Sequence, residues 1–338
     1  MKDGKFIVLG IESSCDDTSA SVVADGREMM SNIISSQTDI HALYGGVVPE
    51  IASRNHLENI NPVIEQALGK ADVTFDDIDL IGVTNRPGLI GALLVGVSAA
   101  KAASFAKDIP IVGVHHLHGH ISANYIASKE LEPPFLAVVV SGGNTDIIDV
   151  RGYNDLRLLG ATRDDAAGEA LDKAARVMGL GYPGGPEIDS LAKQGDHSAV
   201  DFKRVMLEPG SYDFSFSGIK TQLINYINSC SQSGRDYGKA DLAASFQQAV
   251  MEVIRAKSLA AAAETGRKKI ALAGGVSANS CLRSLMDAGC RDRGIELFVP
   301  APVLCTDNAA MIASAAYYLY KGGIEDDMSL DAFAVADI

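Results

Sequence analysis

The stretch FIVLGIESSCDDTSASVV, residues 6–23, opens on an apolar run, crosses a turn of Ser and acidic side chains, and resumes as a second apolar run. A short apolar run bounded by turn residues reads as a buried strand. A second stretch, FLAVVVSGGNTDIIDV at 135–150, repeats the outline of strand, small-residue turn with Ser and Asp, and strand. We read the two as an internal duplication. Around the first copy, 28–34 pairs back on 20–24 across Asp25-Gly26. Then come a helix over 49–68 with Pro49 in its first turn, a strand at 80–84, a helix at 89–105, a strand at 111–114 and a helix over about 117–128. Glu132-Pro133-Pro134 breaks the pattern before the second copy. Beyond it, 161–240 is rich in Gly, Pro, Asp and Ser and reads as short helices. A long helix (242–264), a strand (269–272), a helix (278–292), a strand (296–299) and a closing helix (307–320) follow. Alternating strands and helices mean an α/β protein, and two related halves predict a ligand in the cleft between them.

Composition narrows the function. At 338 residues the chain is long for one core and favours two domains. Its 29 basic and 43 acidic side chains give a net charge of -14. A freestanding nucleic-acid binder is usually basic because affinity comes from neutralising phosphates, so a phosphate-binding surface must be local or supplied by a partner. The five cysteines form no C-x-x-C pair, which suggests neither a disulfide framework nor a thiolate zinc site and fits a reducing cytosol. No signal-peptide layout precedes the first strand. The longest apolar stretch, 88–106, contains Lys101 and Ser or Gly breaks and reads as a buried core helix, not a membrane span. These features predict a cytoplasmic protein without a membrane partner.

Four of the seven histidines fall within His115-His116-Leu117-His118-Gly119-His120. Helical residues four apart share a face, so His116 and His120 could hold one metal ion, the alternative being a solvated polar turn. A zinc protease needs Glu directly after the first His. Leu117 stands there, so the spacing argues for a metal and against proteolysis. Asp307, in Thr306-Asp307-Asn308, could be the third ligand, although Asp at a helix start is ordinarily a cap. Two His and one carboxylate suit Fe(II) or zinc. Ser141-Gly142-Gly143-Asn144-Thr145 and Ala273-Gly274-Gly275-Val276-Ser277 end buried strands, where backbone N–H groups can cradle an anion. Asp172 and Asp189 flank a Gly-Pro loop at 181–186 that could read a ribose or an amine. Cys15 has nothing visible to lower its pKa and reads as packing.

Taken together, Gly10-Ile11-Glu12-Ser13-Ser14-Cys15-Asp16-Asp17-Thr18, the histidine run, Ser141–Thr145, the 181–186 loop, Phe214-Ser215-Phe216-Ser217-Gly218-Ile219-Lys220-Thr221, Gly274-Gly275-Val276-Ser277-Ala278-Asn279 and Cys305-Thr306-Asp307-Asn308 resemble the TsaD family, bacterial branch, related to the catalytic subunit of the KEOPS complex. The resemblance runs in order over nearly the whole chain. It implies two actin-like, sugar-kinase-like α/β halves around a central cleft: residues 1–130 plus about 300–338, and 131–299 with a family-specific helical insert. It implies transfer of L-threonylcarbamoyl from L-threonylcarbamoyl-AMP to N6 of adenosine-37 in tRNAs reading codons that begin with A. It further implies His116, His120 and Asp307 as ligands of one divalent metal, most often Fe(II). The nucleotide substrate would fall to Val139, Val140, Ser141, Gly142, Gly143, Asp172, Gly185, Asp189 and Asn279. The expected partners are tRNA, a TsaB-like paralogue and a TsaE-like ATPase.

Departures from the family pattern are few. Val139 stands where the archaeal branch carries a Tyr near the metal. His118 replaces a Glu frequent in the bacterial run, and Asn144 replaces a frequent His. Because the donor is already an activated anhydride, direct attack by the adenosine amine is the expected chemistry, with Asp16 or Asp17 taking its proton and the N–H groups of Gly142 and Gly143 stabilising charge. Two other classes are compatible with the fold: a metal-dependent ATPase or kinase, and a non-catalytic scaffold. Intact His116, His120 and Asp307 argue against the scaffold.

Overall fold

Three antiparallel strands begin the chain: β1 (Ile7–Glu12), β2 (Asp17–Ala24) and β3 (Glu28–Ser36). In the computed structural model, which describes residues 4–336 and 338, Asp25 and Gly26 both take positive φ, 50° and 70°. The Arg27 N–H closes that turn on Ala24 O at 3.1 Å, the left-handed pair that a tight hairpin requires. There follow α1 (Thr38–Ala42), α2 (Pro49–Lys70), β4 (Leu80–Arg86), α3 (Ile90–Lys107), β5 (Ile111–His115) and α4 (His116–Ala127). The second copy contains β6 (Phe135–Val140), β7 (Thr145–Gly152), β8 (Asp155–Ala161), α5 (Ala167–Val177), α6 (Gly184–Ala192), α7 (Ser217–Ser233), α8 (Lys239–Thr265), β9 (Lys269–Ala273), α9 (Ser280–Arg291) and β10 (Glu296–Phe298). Two helices close the chain, α10 (Pro302–Cys305) and α11 (Ala309–Lys321).

The two five-stranded sheets run β3-β2-β1-β4-β5 and β10-β9-β6-β7-β8. Read backwards, the second order is the first: a meander of three strands, then two parallel strands reached by crossover from the central one. The duplication seen in the outline of the sequence is therefore a duplication of topology. The sequence reading did not place the short helices α1 and α10 or the edge strand β8, and α7 is a helix of 17 residues in the stretch expected to hold only short ones.

The chain divides into two units, Met1–Pro133 with Gly152–Leu156 and Pro300–Ile338, and Pro134–Arg151 with Arg157–Val299. In the first, strand alternation sorts side chains to two faces. Ile7, Leu9 and Ile11 of β1 join Ile60, Ile64, Leu93 and Val97 of α2 and α3. Val8 of β1 joins Leu80, Val112 and Val114 and the α11 residues Met311, Ile312, Ala315 and Ala316. On that second face a Cβ at Gly10 would stand 2.2 Å from Ala309 O, and one at Gly119 would stand 2.6 Å from Ile312 Cδ1. Glycine at these positions lets α11 lie against β1 and α4, which carries residue 307 to the C-terminal end of β1. α3 is long and apolar enough to cross a bilayer, yet Ala92, Leu93, Val97 and Ala100 are buried in this core while Ile90, Leu94 and Phe105 are exposed. The second unit buries Leu136, Val138, Val140, Leu171, Phe246, Val250 and Leu272 in a core of its own.

Candidate functional site

Strand β5 runs straight into α4, and the four histidines of that junction divide into two pairs. His115 caps α4, its Nδ1 accepting from the Leu117 N–H at 3.2 Å, while Nε2 contacts Ala336 O at 3.3 Å. His118 Nε2 donates to Tyr153 O at 2.9 Å. Burial pushes both imidazoles down to about 4, so they are neutral structural groups near pH 7. His116 and His120, one turn apart, bring their rings to 4.6 Å. Asp307 Oδ1 lies 3.4 Å from His116 Nε2 and 3.2 Å from His120 Nε2.

The ordinary reading of Asp307 as a helix cap does not hold. The cap of α11 is Asn308, whose Oδ1 accepts from the Met311 N–H at 3.0 Å. Asp307 is thereby free to face the histidines. One ligand atom from each of His116, His120 and Asp307 lies within 4.8 Å of the others, so the group could hold a metal ion. The fit is supported by His120: it is fully buried, and neither ring nitrogen makes a directed hydrogen bond. A buried imidazole left in that state needs another partner. Burial lowers the His120 pKa, which favours the neutral, metal-ligating form. Burial alone would raise Asp307, but the neighbouring His116 holds it well below the usual carboxylate range. Conversely, burial would lower His116, and the Asp307 and Glu12 carboxylates outweigh it and raise it.

Glu12, at the end of β1, is completely buried beneath this group. Its Oε2 lies 3.0 Å from His116 Nδ1 and accepts from Thr84 Oγ1 at 2.6 Å. At the start of β2, Asp17 is pushed up to about 7 by burial, and its Oδ1 has no hydrogen-bond partner. Asp16 is raised by burial and by Asp307. The Cys15 thiol is raised well above its ordinary value by burial and by Asp16, so it offers no thiolate near pH 7 and is packing.

In the second unit the two Gly-rich turns lie side by side, because β6 and β9 are parallel neighbours with Val139 opposite Ala273. Gly274 has φ 84°, and a Cβ there would stand 2.4 Å from Val140 O. The first turn is closed by Ser141, whose N–H donates to Asn144 O at 2.8 Å and whose Oγ accepts from the Asn144 N–H at 3.1 Å. Gly142 and Gly143 are exposed, with open space beside each Cα. Asp172 accepts from the Gly184 N–H at 2.7 Å and so ties down the start of α6, next to Gly185. Asp189 Oδ1 accepts from Ser280 Oγ at 2.7 Å, which joins α6 to the start of α9. Asn279 caps α9 through its Oδ1 and donates its Nδ2 to Gln247 Oε1 at 2.8 Å. The residues expected around a nucleotide are thus brought to one end of this unit. Asp172, Asp189 and Asn279 have side-chain atoms engaged in holding the loops in register.

A family model described as TsaD, tRNA N6-adenosine threonylcarbamoyltransferase, matches residues 28–314. The chain belongs to the TsaD family. Curated relatives of the same name are 53% identical over 97% of both chains in Clostridium beijerinckii and 53% identical over 97% of both in Clostridioides difficile. Among solved structures, a full-length HypF in its phosphate- and nucleotide-bound form superposes with TM-score 0.63 at 15% identity, over 98% of this chain and 47% of that one. The Acidaminococcus fermentans (R)-2-hydroxyglutaryl-CoA dehydratase component A gives TM-score 0.54 at 16% identity, over 93% and 98%. At such identities these structures speak for the fold alone, two actin-like α/β halves. TsaD membership makes the chain a transferase that modifies tRNA.

Some residues of this TsaD chain were not singled out from sequence: Glu12 as a partner of His116, Thr84 beneath it, and Gln247 beneath Asn279. Gln247 stands beside Gln248 between Phe246 and Ala249, and nothing in that pattern tells the two Gln apart. Thr84 had no signal beyond its position at a strand end.

Proposed function

We propose that this enzyme transfers L-threonylcarbamoyl from L-threonylcarbamoyl-AMP to N6 of adenosine-37, beside the anticodon, in tRNAs reading codons that begin with A. The observation carrying this reading is the undamaged His116, His120 and Asp307 group, with a buried carboxylate beneath it, in a chain whose relatives are named for the reaction. A divalent ion held by these three side chains, iron(II) before zinc, would supply Lewis acidity toward the donor's oxygens.

The chain's own residues have the remaining tasks. The exposed N–H groups of Gly142 and Gly143 would bind donor oxygens, and Val139, Val140, Ser141, Gly185 and the loops held by Asp172, Asp189 and Asn279 would frame the nucleotide. The adenosine N6 attacks the carbamoyl carbon, forming a C–N bond. The bond from that carbon to the phosphate oxygen breaks, and AMP leaves with the electron pair. The N6 proton passes to a carboxylate, Asp17 before Asp16, because a base with a pKa near 7 is matched to neutral pH. Burial explains why such a carboxyl exists here at all.

The charge of -14 leaves tRNA phosphates to a local surface or to partners. We assign the latter role to a TsaB-like paralogue and a TsaE-like ATPase in the cytosol. Ile90 and Leu94, exposed and one turn apart on α3, would give a protein partner an apolar contact. The test is reconstitution: the chain, its partners, threonine, bicarbonate, ATP and tRNA, followed by mass spectrometry of the nucleosides. Threonylcarbamoyladenosine is the expected product. ATP hydrolysis by the chain alone without any modified nucleoside in the full mixture would favour an ATPase instead.

A further inference from the structure

The buried carboxylate under the histidines has a function that the three ligands alone do not provide. Glu12 ends β1 and Thr84 lies near the end of its parallel neighbour β4, both on the face that packs against α4 and α11. Three groups converge on Glu12. Oε2 takes the Thr84 hydroxyl at 2.6 Å and stands 3.0 Å from His116 Nδ1, and Oε1 takes the Ser14 N–H at 2.5 Å. Ser14 Oγ also lies 3.2 Å from His116 Nδ1. An ionised carboxylate only accepts, so the proton between it and His116 belongs to Nδ1. Nε2, the nitrogen 3.4 Å from Asp307 Oδ1, is then the one left to a cation. The hydrogen bond at one ring nitrogen decides which nitrogen binds metal. Two carboxylates, Glu12 and Asp307, also balance the charge of a divalent ion in a site where an unpaired buried charge is costly.

We propose that Glu12 is a positioning residue for the metal group: it holds His116 by Nδ1–H so that Nε2 faces the ion, and Thr84 and Ser14 hold Glu12. This rests on reading His116, His120 and Asp307 as ligands, and it adds a second layer that fixes ring orientation and raises ligand basicity.

Glu12→Gln tests it by shape-preserving frustration. An amide NH2 in place of Oε1 faces the Ser14 N–H, and in place of Oε2 it faces the Thr84 hydroxyl and His116 Nδ1. The second arrangement drives the His116 proton to Nε2 and blocks the metal. Zn(II) affinity, measured by competition with a chromophoric chelator, should fall by about 10–100-fold, with circular dichroism confirming the fold. Thr84→Val, a gentler change, should weaken Zn(II) several-fold alone and add nothing in the Glu12→Gln background. A mere packing role for Thr84 would give independent losses. In zinc-loaded wild-type protein, 15N spectra should show His116 Nδ1 protonated. Unchanged Zn(II) affinity in Glu12→Gln, with binding still lost in His116→Ala, overturns this inference and leaves the metal group standing. Zn(II) binding that His116→Ala does not affect overturns the metal group itself, and this inference with it.

Discussion

Asp307→Asn preserves shape and removes one charge, and the structure separates its effects. The helix cap is not disturbed, because Asn308 and not Asp307 receives the Met311 N–H; the ~1 kcal/mol typical of a lost cap is therefore not incurred. The amide oxygen can still accept where Oδ1 now stands, 3.2 Å from His120 and 3.4 Å from His116. The metal-free variant loses the charge that faces His116 and should unfold below wild type, so the effect of metal is read as the rise within each protein. Metal changes the comparison. An ion present at one hundred times its Kd adds about 2.7 kcal/mol to wild-type stability, or about 5–11 °C for a unit of this size. Replacing a charged ligand by a neutral one should cost on the order of 100-fold in affinity, since outer partners alone cost 10–100-fold. At the same ion concentration the variant then gains about 0.4 kcal/mol, or about 1–2 °C. Calorimetry with Zn(II) and with chelator, on both proteins, measures the four unfolding temperatures. An equal Zn(II)-induced rise in Asp307→Asn and wild type would refute Asp307 as a ligand.

The proposed role of Asp17 sets the pH dependence of transfer: a base with a pKa pushed up to about 7 is lost to protonation as pH falls, so the rate should decline below about pH 7, and Asp17→Asn should abolish that acidic limb together with most of the rate. Asp146, buried on β7 with its pKa pushed up to about 6, binds its proton more tightly folded than unfolded. Stability is therefore lost as pH rises between the ordinary value and 6, and Asp146→Asn should recover on the order of 3 kcal/mol at pH 8 and nothing at pH 3, measured by urea unfolding. Gly10→Ala would place a Cβ 2.2 Å from the Ala309 carbonyl oxygen. Because the obstacle is backbone, the change should cost about 3 kcal/mol, whereas Gly142→Ala, with nothing within 4 Å, should leave the unfolding midpoint unchanged.

The sequence was most legible where physics is local. Apolar runs at 6–11 and 135–140, short and bounded by turn residues, read as buried strands, and the spacing of His116 and His120 on one helix needed no tertiary knowledge. It was least legible where two adjacent polar residues compete for one local task. Asp307 and Asn308 are both good caps, and only the packing of α11 on β1 decides that Asn308 caps while Asp307 turns to the histidines. The Glu12–His116 contact spans 104 positions, and no periodicity reports on it. The strand β8 was unread because it is an exposed edge with weak alternation, and α7 because SGIKTQLINYINSCSQS has few strong helix formers. Only Ile219, Leu223 and Cys230 are buried along α7, which packs on α5 and α8. Such a helix is made by its neighbours more than by its own propensities.

The central claim is that this chain itself moves the threonylcarbamoyl group and does so through the His116, His120 and Asp307 group. Preformed L-threonylcarbamoyl-AMP, supplied to the chain and its partners with unmodified tRNA and no threonine or bicarbonate, isolates that step. Nucleoside mass spectrometry should detect threonylcarbamoyladenosine with the wild-type chain and at least 100-fold less with His116→Ala or His120→Ala, in line with the loss of a metal-dependent step. Equal yields from wild type and both variants would contradict the account.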